Sequence, residues 1–465
     1  MVAVGVFLST MDSSMINVAL PSIMRSFGTS LPQTEWVILI YLLTITASLL
    51  FWGRVADRVG LGSIYLSGML IFSIGLVACY LSASLFQLIV FRLLQAMGAA
   101  MMMATGPAII KMVFPLGQLG AALGLVGIAT SIGLMMGPVV SGFLIHSYSW
   151  RAIFLVTVPL SLFVYVVGWL TLRSLIPVKN HTTSRVSFDW AGMLLWTGMI
   201  TMVVLFSTNN AGTSVKVLVY EGIIVLSFLI LLIKTEHRQL APLFPLSLFR
   251  SLPYAIAMFC AALSFAVLFV VLILMPFYLD FVLRLSAKQI GFVMMAVPIS
   301  VFIVSPLSGF LYDRIGARFL TTSGLTIAAW GLLSLCFLSE DSSAVSVAWR
   351  LAFLGCGQAL FLSPNSATVL QNVKPGQTGV SSGMLATARN LGMLLGVSVA
   401  GLLFGMIFFR LSGGLDLKQY SPEQVQNFML ALRITFSITA VFSLIGAILS
   451  SLRGQKRSIQ MKKEF

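Results

Sequence analysis

The chain has 465 residues, 58% of them hydrophobic and only 9% charged, with a formal net charge of +15 and a mean hydropathy of +1.02. A soluble domain carries roughly 25% charged residues, so a water-soluble enzyme is excluded. The basic excess is scattered over short loops and forms no face, which argues against a nucleic-acid partner and reads as a topology signal in a multi-pass membrane protein.

In chain order, apolar runs broken by charge, Pro and Gly clusters predict fourteen membrane helices. They cover 2–22, 34–53, 61–81, 87–110, 119–142, 151–172, 189–207, 216–234, 253–280, 288–312, 315–338, 345–370, 378–408 and 426–452. Each is close to the roughly 20 apolar residues that a membrane crossing requires. With the N-terminus inside, 17 Lys and Arg residues fall in inner loops and the C-terminal tail, and 8 fall outside. Arg92, Arg350 and Arg389 remain inside helices. The bias places both termini in the cytoplasm, in a cell (inner or plasma) membrane. Cys79, Cys260, Cys336 and Cys356 lie in apolar runs without metal-ligand spacing. No metal and no cofactor is expected.

The sequence repeats itself. Gly53-x-x-x-Asp57-Arg58-x-Gly60 recurs as Gly309-x-x-x-Asp313-Arg314-x-Gly316, an offset of 256. Arg92 recurs as Arg350, an offset of 258, and Pro21 as Pro276, an offset of 255. Gly133-x-x-x-Gly137 with Gly142 recurs as Gly392-x-x-x-Gly396 with Gly401, an offset of 259. Both Asp-Arg loops fall on the same side, so the repeats are parallel, a known transporter architecture. The expected fold is all-α and integral to the membrane, arranged 6 + 2 + 6: a six-helix bundle over 1–173, a linker with two inserted helices over 174–251, a second bundle over 252–452, and a basic cytoplasmic tail over 453–465.

Asp12 stands about ten residues from the outer end of the first helix, about 15 Å deep at 1.5 Å per residue. A carboxylate there is costly unless it is paired, protonated or facing water, and one poised between burial and a cationic partner can take up and release a proton. Its repeat counterpart is the apolar Val267, so the fold itself needs no acid at that level. The alternative is a packing carboxylate between helices. Arg92, about 9 Å deep in the fourth helix, is its expected partner, with a structural guanidinium as the alternative. Asn17, Arg389 and Asn390 are candidates for a central cavity, and a lone mid-membrane cation such as Arg389 needs a partner or a watery space. Glu35 and Asp280 are placed at outer helix ends and weighed as minor.

These motifs, in this order, resemble the major facilitator superfamily, and specifically its fourteen-helix drug:proton antiporter family (EmrB/QacA type). The signature Met11-Asp12-Ser13-Ser14-Met15-Ile16-Asn17-Val18-Ala19-Leu20-Pro21 opens the match. It continues with the Gly53–Gly60 loop, Arg92-Leu93-Leu94-Gln95-Ala96-Met97-Gly98, and Gly133 through Gly142 with Pro138. Leu61 and Gly62 stand where the family has basic residues, Ser141 where it has Gly, and Thr157 where it often has Asn. The resemblance implies a role for Arg92 in proton transfer. It implies that the Asp57–Arg58 and Asp313–Arg314 loops are cytoplasmic gates, and it ties Gly133, Gly137, Pro138 and Gly142 to exchange. Val397 stands at the repeat position of Pro138. It further implies export of lipophilic small molecules, with multidrug efflux the expected class, by a protein that works as a monomer and in some relatives engages a periplasmic adaptor. A facilitator or a proton symporter for a metabolite is the alternative on the same fold. No G-x-x-x-x-G-K-[ST] run is present, so an ATP-driven pump is not expected, and neither is a membrane enzyme.

Overall fold

The computed structural model describes residues 1–113, 119–175, 189–208, 215–239, 246–371, 373 and 378–453. The expected joint near 174–188 and the basic tail beyond Arg453 lie outside the described residues. Those described are helical, with no strand. The first group comprises α1 (Val2–Phe27), α2 (Leu31–Val59), α3 (Leu61–Tyr80), α4 (Leu85–Val113), α5 (Leu119–Ser147), the short α6 (Ala152–Leu155) and α7 (Val158–Leu175). Two further helices follow, α8 (Trp190–Thr208) and α9 (Val215–Arg238). The second group comprises α10 (Leu252–Phe277), α11 (Ala287–Met294), α12 (Ala296–Ile315), α13 (Ala317–Leu335), α14 (Ala344–Gln371), α15 (Thr378–Val399), α16 (Gly405–Leu411) and α17 (Val425–Ser451).

Among the described residues, eleven helical stretches are long and apolar enough to cross a membrane. Three further helices lie where crossings are expected. α8 holds an apolar stretch over Trp190–Leu205, α9 carries an apolar run ahead of Lys234-Thr235-Glu236-His237-Arg238, and α13 opens with the polar run Ala317-Arg318-Phe319-Leu320-Thr321-Thr322-Ser323. Local signals explain the helix limits. Ser30 with Gln33, and Ser286 with Gln289, form capping boxes at the starts of α2 and α11. Gly60 (φ 110°) and Gly316 (φ 82°) end α2 and α12 in a backbone region that side chains resist, which is why each Asp-Arg loop closes on glycine.

The packing repeats along with the sequence. α1 lies against α5 as α10 lies against α15, α3 against α4 as α13 against α14, and α2 against α4 as α12 against α14. The two groups meet where α5 crosses α11 and α12, and where α2 crosses α15. Two π turns interrupt the second group, at Tyr278–Val282 after α10 and at Ala400–Phe404 between α15 and α16. Such turns often mark functional positions. α8 touches both groups: it packs on α2 and α15, and Trp196 Nε1 donates to the Thr46 carbonyl at 3.1 Å.

Candidate functional site

Asp12 and Arg92 are brought together in the interior of the first group, 0% and 1% exposed. Arg92 Nη1 lies 2.7 Å from Asp12 Oδ2 and donates to Gln95 Oε1 at 2.7 Å. Arg92 Nε donates to the Val37 carbonyl at 3.3 Å. The guanidinium stacks over the Tyr41 ring, 4.2 Å from its centre, and the Tyr41 hydroxyl lies 3.1 Å from Ser9 Oγ. The cation is therefore held by α1, α2 and its own helix. Asp12 is held by one oxygen only: among the described residues Oδ1 has no hydrogen-bond donor. A carboxylate with one charge-assisted bond and one bare oxygen can accept a proton at the bare oxygen without first losing its partner.

A ladder of glycines brings α5 up to this carboxylate. A Cβ on Gly133 would sit 2.7 Å from the Phe7 carbonyl, and one on Gly137 would sit 2.9 Å from the Met11 carbonyl. The helices approach at glycine because only glycine leaves room. Ser14 Oγ donates to Leu134 O at 3.1 Å, and Ser141 Oγ donates to Met15 O at 2.9 Å. The serine that replaces a family glycine thus ties α5 to α1. In the second group, a Cβ on Gly392 would meet Ala262, and one on Gly396 would meet Ala266. The third glycine of each ladder faces the opposite group. Gly142 abuts the backbone of Ala287 and Lys288, and Gly401 abuts the carboxylate of Glu35.

That contact revises the reading of Glu35 and Asp280. Glu35 is 1% exposed, its Oε1 has no partner among the described residues, and it is pressed from α2 onto the π turn at Gly401. Asp280, in the other π turn, pairs with Arg25 at the end of α1. Arg25 and Asp280 are repeat mates at the offset of 255 that also relates Pro21 and Pro276. One end of the bundle is therefore sealed across the seam by Arg25–Asp280, Gly142–Ala287, Gly291–Pro138 and Glu35–Gly401. A Cβ on Gly401 would lie 2.7 Å from the Glu35 Cδ. Gly401→Ala is expected to lower stability by about 1–3 kcal/mol through overpacking, and adding Glu35→Ala is expected to restore most of it. Thermal unfolding of the single and double variants checks this.

The other candidates stay apart. Arg350 does not reproduce the Arg92 pair: its Nη1 donates to the Ser346 carbonyl at 2.9 Å and its guanidinium lies over Trp349. Val267 stands at the repeat position of Asp12, so the second group has no acid at that position. Arg389 Nη2 donates to Ser366 Oγ at 2.6 Å, and its Nε has no partner. Asn17 and Asn390 are both buried, with Asn17 Oδ1 and Asn390 Nδ2 unpartnered among the described residues. At the loops, a Cβ on Gly53, Gly309 or Gly316 would meet open space. Arg314 lies over Phe310, 4.5 Å from its centre, and Arg58 is engaged in contacts of its own. The side chains of Asp57 and Asp313 lie outside the described residues.

Comparison with known proteins gives the family. The sequence profile of the Major Facilitator Superfamily matches residues 2–397. The riboflavin transporter RibZ of Clostridioides difficile is 31% identical over 97% of this chain and 95% of its own. The multidrug resistance protein Stp of Mycobacterium tuberculosis is 32% identical over 92% and 79%. Among solved structures, an inward-facing bacterial homologue of the lysosomal transporter Spinster aligns over 97% of this chain and 95% of its own, with a TM-score of 0.67 at 17% identity. A peptide transporter, POT, aligns over 97% and 92% with a TM-score of 0.68 at 16% identity. The likeness to both is one of fold. The chain belongs to the Major Facilitator Superfamily and is a multi-pass membrane transporter, not an enzyme.

Proposed function

We propose that this transporter is a proton-coupled exporter of lipophilic small molecules, of the fourteen-helix arrangement, working by alternating access. The observation that carries this reading is the buried Asp12–Arg92 pair with Oδ1 left bare. A carboxylate that is charged and paired in one state and hydrated or protonated in another changes its proton affinity as access alternates. α8 and α9 are the two inserted helices, and with them and α13 the count of crossings is fourteen. With the N-terminus in the cytoplasm, the sealed end faces outward and the protein is closed to the outside. Relatives named for multidrug resistance and for tetracenomycin C resistance and export support an efflux role. RibZ, named as a riboflavin transporter, favours the second reading, a facilitator or symporter for a metabolite.

Proteoliposomes with an imposed pH gradient separate the two. Adding lipophilic drugs is expected to dissipate the gradient with wild-type protein and not with Asp12→Asn. Dissipation by both would move coupling off α1. Substrate crossing without proton movement would leave a facilitator.

A further inference from the structure

The two groups of helices treat their intramembrane arginines differently. In the first, Arg92 has a carboxylate, a carbonyl, an amide and an aromatic face. In the second, Arg389 sits on α15 eleven residues in from Thr378, about 16 Å along the helix, and among the described residues no anion reaches it. α10, α14 and α15 contain no Asp or Glu. The acids of the second group are Asp280, Asp313, Glu340, Asp341, Asp416 and Glu423, all at helix ends or in connections, apart from Glu464 beyond the described residues. Asp12 is committed to Arg92. Glu35 is docked on Gly401, twelve residues and about 18 Å along the helix from Arg389.

The direction of the side chain matters as much as its lack of a counter-ion. Arg389 reaches Ser366 on α14 and lies 5.7 Å from the centre of the Phe265 ring on α10, so it points among the helices of its own group and not into lipid. It is nonetheless partly exposed as a residue, while its Nε–H is buried without a partner among the described residues. A guanidinium is always charged and presents a planar fork of donors matched to an oxyanion. Left without an anion at this depth it is a liability, and an aromatic ring beside it suits an aryl group.

We propose that Arg389, with Ser366 and Phe265, forms an anion subsite for the cargo, so that the preferred substrates are lipophilic organic acids whose carboxylate binds the guanidinium while the aryl body packs on Phe265. This rests on the reading of the chain as an exporter of lipophilic small molecules. It is tested by equilibrium binding without any gradient, so it can fail while proton coupling stands, and the reverse.

The probes are 1-naphthoate, 1-naphthamide and 1-naphthylmethylammonium, which share one ring system and differ in charge. Titration of the purified full-length transporter is expected to show naphthoate binding at least tenfold tighter than naphthamide, with the ammonium weakest. Arg389→Gln is expected to abolish that preference while leaving naphthamide affinity unchanged, and Arg389→Lys to keep part of it. Thermal unfolding gives an independent readout. Removing an uncompensated charge is expected to hold or raise the Tm of the ligand-free protein, and naphthoate is expected to raise the Tm of wild type but not of Arg389→Gln. An arginine that merely ties helices together would lower the Tm when replaced. A lower Tm, equal binding of naphthoate to wild type and Arg389→Gln, a preference for the ammonium, or no naphthoate binding by wild type would each overturn the proposal. Should Arg389→Gln fail to fold, that failure itself counts against an uncompensated charge, and Ser366→Ala with Arg389→Lys then measures the subsite.

Discussion

Arg92→Met is expected to destabilise the transporter by about 3–5 kcal/mol, the range for stranding one member of a buried ion pair. The side chain removed carries the charge that balances Asp12, a bond to Gln95, a bond to the Val37 carbonyl and the cation over Tyr41. Methionine replaces the volume and none of these. The remaining Asp12 then has both oxygens buried without a donor, since Oδ1 already lacks one. The double variant Asp12→Asn/Arg92→Met is expected to recover most of the loss, because a neutral amide costs far less to bury than a carboxylate. A double-mutant cycle on thermal or denaturant unfolding isolates the pairwise part. Full additivity would mean that the pair is not coupled and would remove the basis for assigning it the proton. Recovered stability without recovered proton flux is the expected signature of a pair kept for function rather than for the fold.

The Asp12–Arg92 pair was legible because charges inside membrane helices are so few. Asp12 and Arg92 stand inside the helices of the first repeat at depths that an arginine side chain can bridge, and the structure joins them. The glycine ladder was legible as a pattern, but its division of labour was not. Gly133 and Gly137 serve contacts within one group, while Gly142 and Gly401 serve the contact between groups. Spacing along one helix does not say which neighbour fills the gap. The burial of Glu35 was not legible for a physical reason: a carboxylate near a helix end is ordinarily solvated, and this one is covered by a π turn some 365 residues later in the chain. Sequence periodicity gives no sign of a π turn. The Arg25–Asp280 pair was within reach of the sequence, because the offset of 255 that maps Pro21 onto Pro276 also maps Arg25 onto Asp280. Repeat mates can touch only near the axis that relates them, so opposite charges at such positions are a readable sign of a seam.

Placing a methyl group in that seam is expected to shift the conformational balance more than the stability. A Cβ on Gly291 would press on the Pro138 carbonyl, with the carbonyl carbon 3.1 Å away, and one on Gly142 would press on Ala287, with its carbonyl carbon 3.2 Å away. Both obstacles are backbone in the opposite group, so neither can rotate aside, and the two groups must part to relieve them. The cost, about 1–3 kcal/mol for each overpacked methyl, falls only on the state in which this end is closed. At about 1.4 kcal/mol per factor of ten, one substitution changes the ratio of closed to open by roughly five- to more than a hundredfold. The expected result for Gly142→Ala and Gly291→Ala is a population opened at the Arg25–Asp280 end. Disulfide formation in an Arg25→Cys/Asp280→Cys background is expected to fall in proportion, and transport to fall with it because the closed state can no longer be revisited. Gly133→Ala is the control, since its Cβ would meet Phe7 and Thr10 within one group. It is expected to lower the Tm and leave the cross-linking yield of the surviving fold unchanged. Equal cross-linking in all three variants would mean that these glycines serve helix packing alone and that the seam closes by other contacts.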